Sequence, residues 1–300
     1  MSAFADLKRN RRSQIDLLVN KAKEAGGGKS KSSYKDDRQW KPTTDKAGNG
    51  YAVIRFLPSA DPAALPWTQF FDHGFQGSNG RWYIERSLTS INQPDPLSEY
   101  NSYLWNTGND EDKETARKQK RRLHYVSNIY VVSDPANPEN EGKVFLYQYG
   151  KKIFNKITDV MEPEFEDEAS INPFDLWEGA DFKLKIRQVE GYRNYDKSEF
   201  AGSGPLKEDD KELEAIFESM HDLSEYTAED QYKSYAALQR KLQDVVGDDL
   251  PAQLRVEMSR EAVAAPKVNA PAPKAEVEES TDEDDAEDMA GFFEKLAKED

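Results

Sequence analysis

Phe182-Lys183-Leu184-Lys185-Ile186-Arg187-Gln188-Val189 decides the fold. Phe182, Leu184 and Ile186 alternate with Lys183, Lys185 and Arg187. That period of two belongs to a β-strand with one core face and one basic face. Similar strands lie upstream. Lys46-Ala47-Gly48-Asn49-Gly50 is a turn signal leading into Tyr51-Ala52-Val53-Ile54-Arg55-Phe56-Leu57, which Pro58 closes. Ser78-Asn79-Gly80 precedes a strand at Trp82-Tyr83-Ile84. Residues 125–132 and 143–149 read as two more, parted by a turn with Asp134-Pro135 and Asn137-Pro138. Two helices follow. The first runs through Leu213, Ile216, Phe217 and Met220. The second is predicted from Thr227, where Thr227-x-x-Asp230 resembles a capping box, to Gly247. The expected class is mainly β with helices (α+β), folded from about Trp40 onward.

The ends differ from this middle. Residues 3–24 read as a basic amphipathic helix with Phe4, Leu7, Ile15 and Leu18 near one face. Gly26-Gly27-Gly28 begins a flexible linker. After Pro251 the chain turns Ala/Pro/Lys-rich and then acidic, so 251–288 are expected to be disordered. Phe292, Phe293 and Leu296 suit a short helix that forms against a partner.

The 300 residues carry 41 basic and 57 acidic groups, a net charge of −16. Residues 1–40 hold 10 basic and 5 acidic groups, whereas 275–300 hold 2 and 12. Such charge blocks act as interaction tails. With 37% hydrophobic and 33% charged residues, the chain is too polar to be compact throughout. It has no cysteine, which excludes disulfides, thiolate catalysis and Cys-ligated zinc and fits a reducing compartment. No secretory h-region and no apolar run near the roughly 20 residues of a membrane span are visible. A soluble intracellular protein is the expectation.

Catalytic motifs fail. Gly28-Lys29-Ser30 suggests a P-loop, but Lys23 stands where its first glycine belongs and no apolar strand precedes it. Asn109-Asp110-Glu111-Asp112 lacks the glycine and distant glutamate of a calcium loop, and reads as a solvated loop. His73, His124 and His221 form no ligand pair, and no G-x-S-x-G elbow is present. A non-enzyme is expected.

Binding motifs hold. Residues 113–156 carry ten Lys/Arg against four acids inside an acidic protein. Arg117-Lys118-Gln119-Lys120-Arg121-Arg122 leads to Tyr125, and Tyr147 and Tyr149 precede Lys151-Lys152. Tyr192, Arg193 and Tyr195 follow the strand bearing Lys183, Lys185 and Arg187. Cations meet phosphates and flat rings stack on bases, which contributes about 1–3 kcal/mol per base without sequence choice. A β platform of this kind suits single strands, since no recognition helix for a duplex groove is visible. Any one of these tyrosines is also an ordinary strand residue. It is the coincidence of charge and rings in the same strands that points to nucleic acid. Two rivals are a metal-dependent nuclease using the acidic clusters and an acidic adaptor that does not touch DNA.

The chain resembles the single-stranded DNA-binding (helix-destabilising) proteins of T-even-type bacteriophages. The strings that carry the likeness are Ala47-Gly-Asn-Gly50 with Ala52-Val-Ile-Arg-Phe-Leu-Pro58, His73-Gly-Phe75 with Trp82-Tyr-Ile-Glu85, and Asp134-Pro135 with Pro138-Glu-Asn-Glu-Gly-Lys-Val-Phe145. Gly150-Lys-Lys-Ile153, Trp177-Glu-Gly-Ala180 and Asn194-Tyr-Asp196 extend it.

The resemblance implies three parts: a basic arm over 1–35 for cooperative self-association, an OB-fold core over 36–250 with an inserted subdomain at 60–115, and an acidic partner-binding tail over 251–300. The arm motif falls on Lys8, Arg9, Arg11, Arg12 and Ser13, interrupted by Asn10. A related motif falls on Lys120, Arg121 and Arg122, with Leu123 and His124 replacing the family's hydroxyl pair. The DNA-facing aromatics correspond to Trp105, Tyr125, Tyr147, Tyr192 and Tyr195. The tail's contact residues are expected among Asp282, Glu283, Asp284, Asp285, Phe292 and Phe293. Implied partners are single-stranded DNA, further copies of the chain, and a phage polymerase, helicase loader and recombination mediator, met in the cytoplasm of the infected bacterium and away from any membrane.

The family type holds zinc through one histidine and three cysteines. His73 matches the histidine, but Ser87, Asp95 and Ser98 replace the cysteines. Hydroxyls are poor zinc ligands, so no metal and no cofactor is expected. Trp67, Phe70, Phe71, Trp82, Tyr100 and Trp105 are then available to hold the subdomain by packing.

Overall fold

The structure, a computed structural model, describes residues 36–251 apart from Pro62, Glu166, Asp248 and Asp249. The arm residues Lys8, Arg9, Arg11, Arg12 and Ser13 lie outside the described residues. So do the tail residues Asp282, Glu283, Asp284, Asp285, Phe292 and Phe293, together with the helices expected at both ends.

The long strand β5 (Arg122–Ser133) organises the sheet. One edge pairs antiparallel with β6 (Val144–Tyr149). The other is shared: β3 (Trp67–Gln76) takes 122–127, and β2 (Gly50–Phe56) takes 129–133. β7 (Ala180–Val189) continues the sheet beyond β2, and β1 (Gln39–Trp40) runs parallel to β6. β8 (Tyr192–Asn194) and β9 (Glu199–Ser203) both pair with β7, and β4 (Trp82–Arg86) pairs with β3. The turn from β7 to β8 is Glu190-Gly191, with φ of 55° and 90°. Two consecutive left-handed residues make the mirror-image hairpin turn that matches strand twist, and glycine adopts it without strain.

The alternation in 182–189 holds: Phe182, Leu184 and Ile186 are buried, while the cations between them are not. β5 does not alternate, because it is buried without interruption from His124 to Val131. A strand covered on both faces loses its period of two. The main core gathers Trp40, Ile54, Phe56, Ile129, Tyr147, Tyr149, Phe174, Phe182 and Leu184. Phe56 sits among the rings of Tyr149, Phe174 and Phe182, with centroids 5.5–5.8 Å away. Burying each such side chain contributes roughly 1.5–3 kcal/mol. A helix unanticipated from the sequence, α3 (Lys151–Met161), covers this core with Ile153 and Ile157, one turn apart. Arg55 is buried beneath the sheet. Its guanidinium pairs with Asp181 at 2.8 Å and donates to the carbonyls of Asp175 and Gly204, which satisfies the charge.

β3 also joins a second core. Its far half forms a hairpin with β4, over which pack α1 (Pro96–Asn106), α2 (Asp110–Lys118) and, from far along the chain, α5 (Tyr235–Val246). Phe75, Tyr83, Leu97, Tyr100, Leu104, Leu242 and Val245 fill it. Of the aromatics expected here, Tyr100 is central and Trp105 packs at the margin. Trp67 instead serves the main core, 5.4 Å from Phe154, and Phe70 joins a separate cluster with Val126, Leu146 and Tyr226. Both residues lie in the half of β3 that pairs with β5, and the Phe70 ring also carries the Arg86 guanidinium of β4 at 4.9 Å.

Two expectations need correction. The last helix does not start at Thr227, whose hydroxyl donates to the carbonyl of Ser224. Short 3-10 turns at Ser224–Tyr226 and Glu229–Gln231 come first, and Ser234 caps α5 by accepting from Ala237 N. Residues 109–112 are not a loop either. Asn109 caps α2, and Asp110, Glu111 and Asp112 occupy its first turn, where carboxylates oppose the helix dipole. The predicted helix near 213–220 is present as α4 (Asp210–Glu218). Among the described residues, no helix is long and apolar enough to cross a membrane.

Candidate nucleic-acid interface

The candidate interface residues come from five places: the end of α1, the α2–β5 junction with the start of β5, β6 with the start of α3, the outward face of β7, and the β8 hairpin with the loop after it. At the junction Lys120 is partly exposed and Arg121 is exposed, its guanidinium 4.1 Å from the centroid of the Phe71 ring. That stacking holds the cation on the surface without neutralising it. Arg122 differs. Its Nε donates to Asp72 Oδ1 at 2.8 Å, and both side chains are mostly buried. The guanidinium lies over Gly74, where an added Cβ would come within 2.5 Å of Nη2. His124 Nε2 approaches the same Asp72 oxygen at 3.0 Å. Burial works against the Asp72 charge, but His124 and Arg122 together hold its carboxyl below the usual range. Arg122 is therefore held mostly buried in an ion pair, which the basic string 120–122 gives no sign of.

The aromatic platform is largely inside the protein. Tyr125 lies face to face on Phe154, with centroids 3.9 Å apart and planes 4° from parallel. Tyr147 and Tyr149 do share one side of β6, as their spacing requires, but they are only 2% and 1% exposed. Tyr147 meets Trp40 edge-on, and the Tyr149 hydroxyl is 2.8 Å from Ser127 Oγ. Burial pushes the Tyr149 phenol well above its ordinary pKa. Tyr195 is buried in the same core. The exposure expected of these four rings is thus corrected. The physical reason is α3, whose Phe154, Ile153 and Ile157 cover the tyrosine side of the sheet.

Tyr192 is 48% exposed on β8, and Trp105 is half-buried at the end of α1 with the Arg117 guanidinium 5.5 Å from its ring. One ring was missed: Tyr51, 46% exposed and directly across from Lys185. The alternation of Tyr51, Ala52 and Val53 carried that signal, since Ala52 is buried and its neighbour must face outward.

Lys183, Lys185 and Arg187 project from β7 as predicted, but two have acidic partners. Lys185 Nζ is 2.8 Å from Glu199 Oε1, and Arg187 grips Asp196 with two hydrogen bonds. These hydrogen bonds lower the carboxyl pKa of Glu199 and of Asp196. Lys151 and Lys152 open the first turn of α3, after Gly150 at the N-cap. Cations beside the positive end of a helix dipole are mutually unfavourable, and the local field favours an anion.

The residues at the family's zinc position do come together. His73 is 1% exposed, with Nδ1 3.0 Å from the Gln119 carbonyl and Nε2 3.6 Å from Asp95 Oδ1. Asp95, 2% exposed, accepts from the amides of Leu97, Ser98 and Leu88 at 3.0–3.1 Å. Burial opposes its charge, but His73 and these amides prevail and hold the carboxyl at about 2. Ser87 Oγ is engaged with Thr89 Oγ1 at 2.9 Å. One imidazole, one carboxylate already filled with amide hydrogen bonds and two hydroxyls do not make a zinc donor set. Among the described residues, no three His, Asp or Glu side chains are grouped to hold a metal ion.

A family model described as "gp32 DNA binding protein like" matches residues 48–246. The single-stranded DNA-binding proteins of Enterobacteria phages T2 and T4 are each 42% identical to this chain over 244 residues, 79% of both partners. The protein of the same name from Escherichia phage SV14 is 42% identical over 105 residues, which is 34% of this chain and 91% of that one.

Proposed function

Because the chain belongs to the gp32-like family of DNA-binding proteins, we propose that it coats single-stranded DNA cooperatively during phage replication, recombination and repair. The observation that carries this reading is the 42% identity to two single-stranded DNA-binding proteins over 79% of the chain. The family is one of DNA-binding proteins and not of enzymes, so the nuclease alternative falls.

In this reading the curled sheet around β5 is an OB-fold, and 36–250 form the core. Lys120, Arg121, Lys151, Lys152 and Lys183 neutralise phosphates, while Tyr192, Trp105 and Tyr51 supply ring faces at its margin. Lys185 and Arg187 exchange their acidic partners for phosphate when DNA binds. The arm, 1–35, links protomers through Lys8, Arg9, Arg11, Arg12 and Ser13. The tail, 251–300, recruits replication and recombination proteins and competes with DNA for the basic surface, in the cytoplasm of the infected host.

Binding to oligonucleotides of increasing length tests this. Removing residues 1–25 should weaken binding to long strands far more than to very short ones. Equal losses on both would reject the arm's role. Removing 275–300 should raise DNA affinity and abolish partner binding, and unchanged affinity would reject the competing tail. Equal binding to duplex and single strand would reject the function itself.

A further inference from the structure

The buried cluster around His73 has a concentration of unusual chemistry. Eight buried side-chain polar atoms lack a hydrogen bond among the described residues, and five belong to His73, Tyr83, Ser98, Asn101 and Gln119. These residues are neighbours: the His73 and Tyr83 rings are 6.3 Å apart, and Asn101 Nδ2 and His73 Nδ1 share the Gln119 carbonyl at 3.0 Å. A histidine held by a backbone carbonyl at one nitrogen, with the other turned inward, has the posture of a metal-bound imidazole. Here the inward nitrogen meets Asp95 instead.

We infer that Asp95 replaces the family's zinc as the joint of this subdomain: its carboxylate, not a metal, ties strand β3, the 3-10 turn at Leu88–Ile91 and helix α1 together. One oxygen caps α1 through the amides of Leu97 and Ser98 and faces His73 on β3. The other takes the amide of Leu88. Three of the carboxylate's four acceptor positions are taken by amides, and Oδ1, the oxygen nearest His73, could turn to a cation only by releasing the end of α1. The remaining hydroxyl and amide atoms are groups that buried water satisfies, whereas zinc asks for thiolate or imidazole. The joint is thus held where a metal would act by three amide hydrogen bonds to Asp95 and the 3.6 Å approach of the His73 imidazole, none of which a chelator removes.

The test uses the full-length chain. After dialysis, zinc is assayed with a chromogenic chelator, and melting is followed with and without EDTA. Zinc far below one per chain and an unmoved Tm are expected. Stoichiometric zinc whose removal lowers Tm would overturn the inference. Asp95→Ala should lower Tm by about 5–10 °C, since it strands three amides and a cap. An unchanged Tm would overturn the joint. The triple variant Ser87→Cys, Asp95→Cys, Ser98→Cys supplies the missing thiolates beside His73. It should take up one zinc per chain and become EDTA-sensitive. A folded triple variant that takes up none would show that the four positions do not converge where the family's metal sits. If the triple variant does not fold, wild-type zinc content and Asp95→Ala still decide.

Discussion

Arg121 and Arg122 are adjacent in sequence and opposite in predicted effect. Arg122→Ala removes a cation 2.8 Å from Asp72, with both partners mostly buried. An attraction at about 4 Å between charge centres is roughly 4 kcal/mol at an effective dielectric of 20, before desolvation is subtracted. A fully buried pair loses about 3–5 kcal/mol when broken, an exposed one about 0–1. Asp72 keeps His124 at 3.0 Å, which limits the damage. A loss near 2 kcal/mol follows, or about 4–8 °C in Tm for a domain of this size. The DNA-binding salt dependence should stay as in the wild type. Arg121→Ala should do the reverse. Its exposed guanidinium rests on the half-buried Phe71 ring, so Tm should move less than in Arg122→Ala. The log–log salt slope for single strands should become shallower by about 0.7, the share of one phosphate. Melting curves and salt titrations of both variants check this. An Arg122→Ala protein as stable as the wild type, with the shallower slope, would refute the separation.

Phe56→Ala empties the centre of the aromatic core and should cost about 3–5 kcal/mol in denaturant unfolding. Tyr149→Phe removes the bond to Ser127 and should cost about 1 kcal/mol near pH 7. Because burial raises the Tyr149 pKa, the unfolded phenol ionises first. Wild-type stability should therefore fall as pH rises past about 10, and the wild-type advantage should shrink there in unfolding titrations at high pH. Ser234→Ala should lower stability by about 1 kcal/mol, and Thr227→Ala by much less, because only the former caps α5.

The strands with one open face were legible in the sequence. Phe182 to Ile186 shows its face in its alternation, and Tyr51 to Phe56, marked by the turn before it and Pro58 after it, also stands where expected although Ile54, Arg55 and Phe56 are all buried. What was not legible depends on covering elements. Tyr125, Tyr147 and Tyr149 carry no local mark of burial, because α3 closes over them in space. The spacing of Ile153, Ile157 and Val160 did carry a helical signal, but Lys151-Lys152 drew the reading toward phosphate contact. Asp95-Pro96 was likewise a helix start, with proline in the first turn, before it was a substituted ligand position. The partners of Arg122, Lys185 and Arg187 are Asp72, Glu199 and Asp196, which come from other strands or loops, so a count of nearby charges overstated the free basic surface.

The central claim is binding of single strands through phosphate neutralisation and ring contact. The most direct measurement is the affinity for single-stranded and duplex DNA across a salt series, read by quenching of intrinsic fluorescence. The account predicts a clear preference for single strands, with a log–log slope near −0.7 for each phosphate neutralised. Salt-independent binding, no quenching, or equal affinity for duplex would contradict it.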